Sequence, residues 1–214
     1  MSWQTLNVGV LAFISSMVAF NISKYHANQQ RHREFIAARS FLPEALSDLS
    51  SYFHLSAELL VEAWGRAVDE ADRCKTPLNH EVPVLPDNYR EIFGRCISLG
   101  DPEVSQFLSY MLMRLQVHHS RMTDLAKSFQ ADSTMLIMSA NIKSYLYRLA
   151  ELQALVGRIF DFARGLEQFN GSPLTWEEFK NAYGNLDIWI DEFEDLEGFT
   201  KRSIERGNSD GTAA

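Results

Sequence analysis

The chain has 214 residues, 46% of them hydrophobic and 22% charged, a balance that supports a packed core and excludes an intrinsically disordered protein. A net charge of −8 excludes nucleic acid as the main partner, because phosphate binding needs a surplus of Lys and Arg on at least one face. The two cysteines, Cys74 and Cys96, lie far apart without CxxC or Cys/His spacing, which excludes a disulfide scaffold and a zinc site.

From Trp3 to Ser23 the chain carries no charge. As a helix this run is about 31 Å long, the thickness of a bilayer's hydrocarbon core. It reads as a single transmembrane helix, with residues 1–24 as an anchor in contact with membrane lipid. A cleaved signal peptide fits poorly, because the charges follow the apolar run instead of preceding it. Lys24, Arg31, Arg33 and Arg39 outweigh Glu34 just after the run. That asymmetry predicts an inner-membrane protein with its N-terminus outside and its body cytoplasmic. Thr5, Gly9, Ala12, Ser16, Ala19 and Ser23 recur at alternating spacings of four and three, a small-residue face that predicts a homo-oligomer.

Residues 25–40 read as a basic juxtamembrane stalk, and residues 41–206 as a helical bundle domain. Leu42, Leu46, Leu49, Phe53 and Leu60 describe one apolar helix face, with Pro43 marking a kink or restart near Arg39. The segment 74–86 holds three prolines and no helical period, so it is a connector. A short helix follows over 88–99, capped by Asp87 and stopped by Gly100. Asp101-Pro102-Glu103 then opens a long helix whose seam is Val104, Leu108, Met111, Leu115, His118, Met122, Leu125 and Phe129, the pattern of a bundle or coiled coil.

A further helix is expected from about 133 to Phe169, apolar on several sides and therefore central to the bundle. Thr175-Trp176-Glu177-Glu178 has the form of a capping box. The strongly acidic stretch beyond it, up to Gly198, should turn Leu186, Trp189, Ile190, Phe193, Leu196 and Phe199 inward. Residues 207–214 are small and polar and are expected to fray into a disordered tail.

The predicted fold class is thus all-α: an N-terminal single transmembrane helix followed by an elongated cytoplasmic helical bundle. His118 and His119 point about 100° apart on a helix and lack the i, i+4 spacing of a metal pair. No phosphate loop, nucleophile elbow or metal-binding motif occurs, so neither catalytic residues nor a cofactor are assigned. The function expected is a membrane-anchored, self-associating interaction or effector module with a cytoplasmic protein partner. Two alternatives stand beside it. One is a membrane-perturbing effector of the stress or phage-defence type. The other is a sensor or enzyme that binds an anionic ligand in the bundle, for which Arg114, His118, His119 and Arg121 are the candidate ligand or switch residues.

Overall fold

The computed structural model describes residues 3–69, 76–130, 133 and 138–211, with side chains from 13 to 207. Seven α-helices are present among them: α1 (Trp3–Arg39), α2 (Leu42–Val68), α3 (Tyr89–Leu99), α4 (Pro102–Ser128), α5 (Ser139–Arg164), α6 (Trp176–Asn185) and α7 (Leu196–Gly211). No strand occurs among the described residues.

The transmembrane reading is corrected here. Among the described residues no helix is long and apolar enough to cross a membrane. Within α1 the described side chains start at Phe13 and meet Lys24 after eleven uncharged residues, about 16 Å of helix and half the length of a span. Ser15, Ser16, Asn21 and Ser23 dilute that stretch further. The single-pass anchor, the inner-membrane location and the outside-to-cytoplasm orientation therefore do not stand. The earlier part of the run, with Thr5, Gly9 and Ala12, lies outside the described side chains.

α1 continues unbroken through the expected stalk to Arg39. A short turn at Ser40 and Phe41 follows, and α2 restarts with Pro43 in its first turn, where a missing N–H costs nothing. α2 buries Leu42, Leu46, Leu49, Phe53 and Leu60 and packs chiefly against α5. α5 is buried on nearly every side and also contacts α4, α6 and α7. Alanines at 45, 57, 63 and 67 on α2 and at 150 and 154 on α5 are all buried, and their small size lets helix backbones approach closely.

Local signals set the helix ends. Gly165 adopts φ 76° and ends α5, its N–H bonding to Phe162 O at 2.9 Å, so the helix stops before Leu166 and does not reach Phe169. The Thr175 capping box forms as expected, with Glu178 bonding back to the Thr175 amide at 2.8 Å. The acidic stretch, however, is not one helix. It breaks after Asn185, passes Asp187 at φ 54° and Asp195 at φ 57°, and turns Ile188 inward while Trp189 stands 69% exposed.

Among the described side chains, those at the end of α1 join the body. Phe35 and Ala38 are buried, Arg39 stacks on the Phe162 ring at 5.1 Å, and the Arg31 guanidinium donates to Leu99 O at 3.1 Å and Gly100 O at 3.0 Å. Those carbonyls end α3, where a cation also meets the negative end of the helix dipole. Gly100 permits this approach, since a Cβ there would lie 2.7 Å from Cys96 O and 3.2 Å from Phe35 Cε2. Gly100→Ala should therefore lower stability by about 1–3 kcal/mol, the usual cost of forcing atoms into a packed site, as read from chemical denaturation.

The described part of the connector is pinned to α2 by Arg66, which donates to Thr76 O at 3.0 Å and Pro77 O at 2.8 Å, and by the Glu62 carboxylate. Glu62 accepts from the Asn79 amide at 2.7 Å, the His80 amide at 2.9 Å, His80 Nδ1 at 2.8 Å and Arg66 at 2.6 Å. Burial pushes its pKa upward, but the amide and imidazole bonds and the Arg66 charge outweigh that and hold it at about 2. Glu62→Gln removes the charge that these donors share. The Asn79 and His80 amides should then exchange with solvent at least several-fold faster, with the amides of α5 unchanged as internal reference.

Candidate functional site

Two features of the molecule are chemically unusual. One is the polar layer that the seam of α4 makes with α2 and α5; the other is the exposed part of α1.

His118 sits in the α4 seam between Leu115 and Met122 and is 2% exposed. Its ring stands edge-on to Tyr52 and Phe53 of α2, with interplanar angles of 88° and 87°. Burial above all, helped by His119 and Arg121, depresses its pKa to about 3. It is therefore a neutral imidazole at ordinary pH. His119, one position on, bonds through Nδ1 to the Tyr52 hydroxyl at 3.1 Å. Burial raises the Tyr52 phenol to about 12, so this hydroxyl stays protonated. Both histidines thus serve the α2–α4 contact. Among the described residues no group of three His, Cys, Asp or Glu converges as a metal set.

On the adjoining side of α4, arginines meet α5. Tyr110, Arg114, His118 and Arg121 follow one another at spacings of four, four and three, so they share a helix face. Opposite them α5 presents Arg148 and the buried Glu151. Glu151 accepts from the Tyr110 hydroxyl at 2.8 Å and from Arg148 at 2.9 Å, while Arg114 Nε lies 3.8 Å away, too far for a hydrogen bond. Each guanidinium is stacked on a tyrosine: Arg114 on Tyr110 at 4.8 Å, Arg121 on Tyr145 at 5.5 Å and Arg148 on Tyr147 at 4.9 Å. A small cavity of about 10 Å³ lies among Arg114, Val117, His118, Arg121, Arg148 and Glu151. Arg114 Nε and His118 Nε2 are both buried without a hydrogen-bond partner among the described residues.

Three of the four candidate ligand residues, Arg114, His118 and Arg121, therefore come together, whereas His119 turns away to Tyr52. Arg148, Glu151 and the three tyrosines complete the layer and were not legible as site residues. Their trace in the sequence is the charged pair Arg148 and Glu151, one turn apart, set among the apolar positions Leu146, Leu149 and Leu152. The acidic stretch touches this layer through the Phe179 ring, stacked on Tyr147 at 5.3 Å, and brings none of its carboxylates to the cavity among the described residues. Its link to the arginines is Glu178, which bonds Arg158 at 2.6 Å between α6 and α5.

The second feature is α1 itself. Every described side chain from 13 to 34 is exposed, including Phe13 at 66%, Phe20 at 68%, Ile14, Met17, Val18 and Ile22. Ser16, Ala19 and Ser23 of the small-residue face are exposed too.

A cleft of about 400 Å³ also opens where α1, α2 and α3 meet, with Phe41 and Ile92 on its walls and Glu44, Asp48, Glu91 and Arg95 around it. No protein-family model, curated protein or solved structure matches this chain.

The state of His118 carries a pH signature. Its folded pKa lies below the unfolded value of about 6.5, so the unfolded chain takes up a proton that the folded chain refuses. Stability is intact above about pH 6.5 and falls as pH drops toward 3, by up to about 1.4 kcal/mol per pH unit from this residue. Urea unfolding at pH 7 and pH 5 should show a larger loss for the native sequence than for His118→Gln. Equal losses would mean that His118 is not the group refusing the proton.

Proposed function

We propose that this protein is a helical interaction module that assembles with further copies of itself through the outer part of α1, with the body carried as the presented unit. The observation behind this reading is the bare apolar surface of α1 before Arg31. Six large side chains, at 13, 14, 17, 18, 20 and 22, are exposed there. At roughly 1.5–3 kcal/mol for each side chain fully buried, covering them yields on the order of 10 kcal/mol, comparable to the cost of association.

The arrangement of these side chains favours an assembly larger than a pair. At about 100° per residue they sweep an arc of roughly 200° around the helix, wider than the seam a single neighbour covers. Ser15, Ser16, Ala19 and Ser23 occupy the remaining side, which suits contact with water. The large residues, not the small ones, therefore form the associating face in this reading.

The two faces can be tested separately by the mass of the full chain in light scattering. Phe13→Ser, Met17→Ser and Phe20→Ser together should reduce the assembly to the monomer. Ser16→Leu with Ala19→Leu should leave the assembled mass in place. A native chain that is monomeric at micromolar concentration would overturn the reading, and loss of mass from the second variant alone would move the contact to the small face.

A further inference from the structure

The polar layer between α4 and α5 is unbalanced in charge. Arg114, Arg121 and Arg148 face one carboxylate, Glu151, both of whose oxygens already accept hydrogen bonds from Tyr110 and Arg148. Arg121 forms no ion pair among the described residues, and no other acid lines the cavity. Arg114 and Arg148 share that one carboxylate, so the layer carries two positive charges in excess in a half-buried setting, where uncompensated charge is costly. Beside them sits the orphaned Arg114 N–H, which can only donate. His118 Nε2 becomes a second donor in the tautomer that carries its proton there.

Water in the cavity would satisfy those donors but would leave the charge. The cavity holds about one water-sized atom, and its rim is formed by three half-exposed guanidinium groups. Stacking on tyrosine fixes each guanidinium plane and leaves its N–H edges for an acceptor. These arms come from two positions two turns apart on α4 and from one on α5. A planar carboxylate is satisfied by a single arginine fork, whereas three arms from separate directions suit the outward oxygens of a tetrahedral group.

We propose that this layer is a binding site for a phosphate group, free or carried by a small molecule, with one oxygen in the cavity beside Arg114 and His118 and the others on Arg121 and Arg148. Glu151 acts as a positioning residue, holding Arg148 at the rim while cancelling one of the three positive charges. The proposal is independent of self-association through α1, since none of its residues lies on that helix.

The test is thermal unfolding of the full chain with inorganic phosphate, methyl phosphate, acetate or chloride at matched ionic strength. Both phosphates should raise the midpoint saturably, while acetate and chloride should not. The phosphate that acts at lower concentration tells whether the natural ligand is the free ion or an ester. Arg121→Gln removes a guanidinium that stacks on the Tyr145 ring and forms no ion pair among the described residues. Val117→Glu places a carboxylate at the rim from a position that is 40% exposed. Each should weaken the phosphate response by about tenfold or more while leaving the helical circular-dichroism signal native and the unliganded midpoint at or above the native one, since each reduces the excess of positive charge. A midpoint indifferent to phosphate, an equal response to chloride, or an unchanged response in both variants would overturn the proposal.

Discussion

The contact of α2 with α5 is the constraint on which the rest of the molecule depends. Both helices bring long apolar faces and several alanines, and α5 is enclosed by α2, α4, α6 and α7. Over residues 149–156 every position of this helix is buried, which leaves no solvated place for a charge. Glu151 nevertheless lies within it, at 7% exposure. The carboxylate is tolerable there because two donors, Tyr110 and Arg148, meet it and a second cation, Arg114, stands nearby, since leaving such a group unpaired costs several kcal/mol. The polar layer thus follows from the central position of α5.

That layer also accounts for the chemistry of α4. Its seam is a regular apolar row except at His118, which burial keeps neutral and which two aromatic rings of α2 enclose. A neutral imidazole can occupy a seam without a counter-ion, whereas a lysine or arginine head could not. Arginines one turn on either side lean outward onto tyrosine rings, so their stems pack while their charged edges stay at the rim. Tyrosine is suited to this because its ring face attracts the cation while its hydroxyl can still serve as a donor, as Tyr110 does for Glu151.

The attachment of α1 is of a different kind. Phe35, Ala38, Arg39 and Arg31 fix the last turns of this helix to α3 and α5, through close packing at Gly100 and hydrogen bonds to the carbonyls that end α3. Before Arg31 every described side chain is exposed. The body and the outer part of α1 therefore differ in how their apolar side chains are covered: within the body by the chain itself, whereas along α1 the described ones are exposed.

The sequence by itself determined the helical class, the seam of α4, the apolar character of α5, the break near Pro43 and the Thr175 cap, because periodicity, proline and capping chemistry act within one or two turns. It also carried the signal for the early end of α5 in Gly165, a residue suited to positive φ that the apolar run around it concealed. Only the tertiary structure decided which polar groups meet. Arg114 and Arg148 are 34 positions apart, and nothing local states that α4 and α5 bring them to one carboxylate, or that His119 answers Tyr52 instead. The same holds for Ile188 and Trp189, whose exchange of inside for outside depends on a chain reversal at Asp187. An uncharged run likewise records composition alone. What lies against it is settled by how much of the helix is apolar and by what packs there, and both belong to the folded molecule.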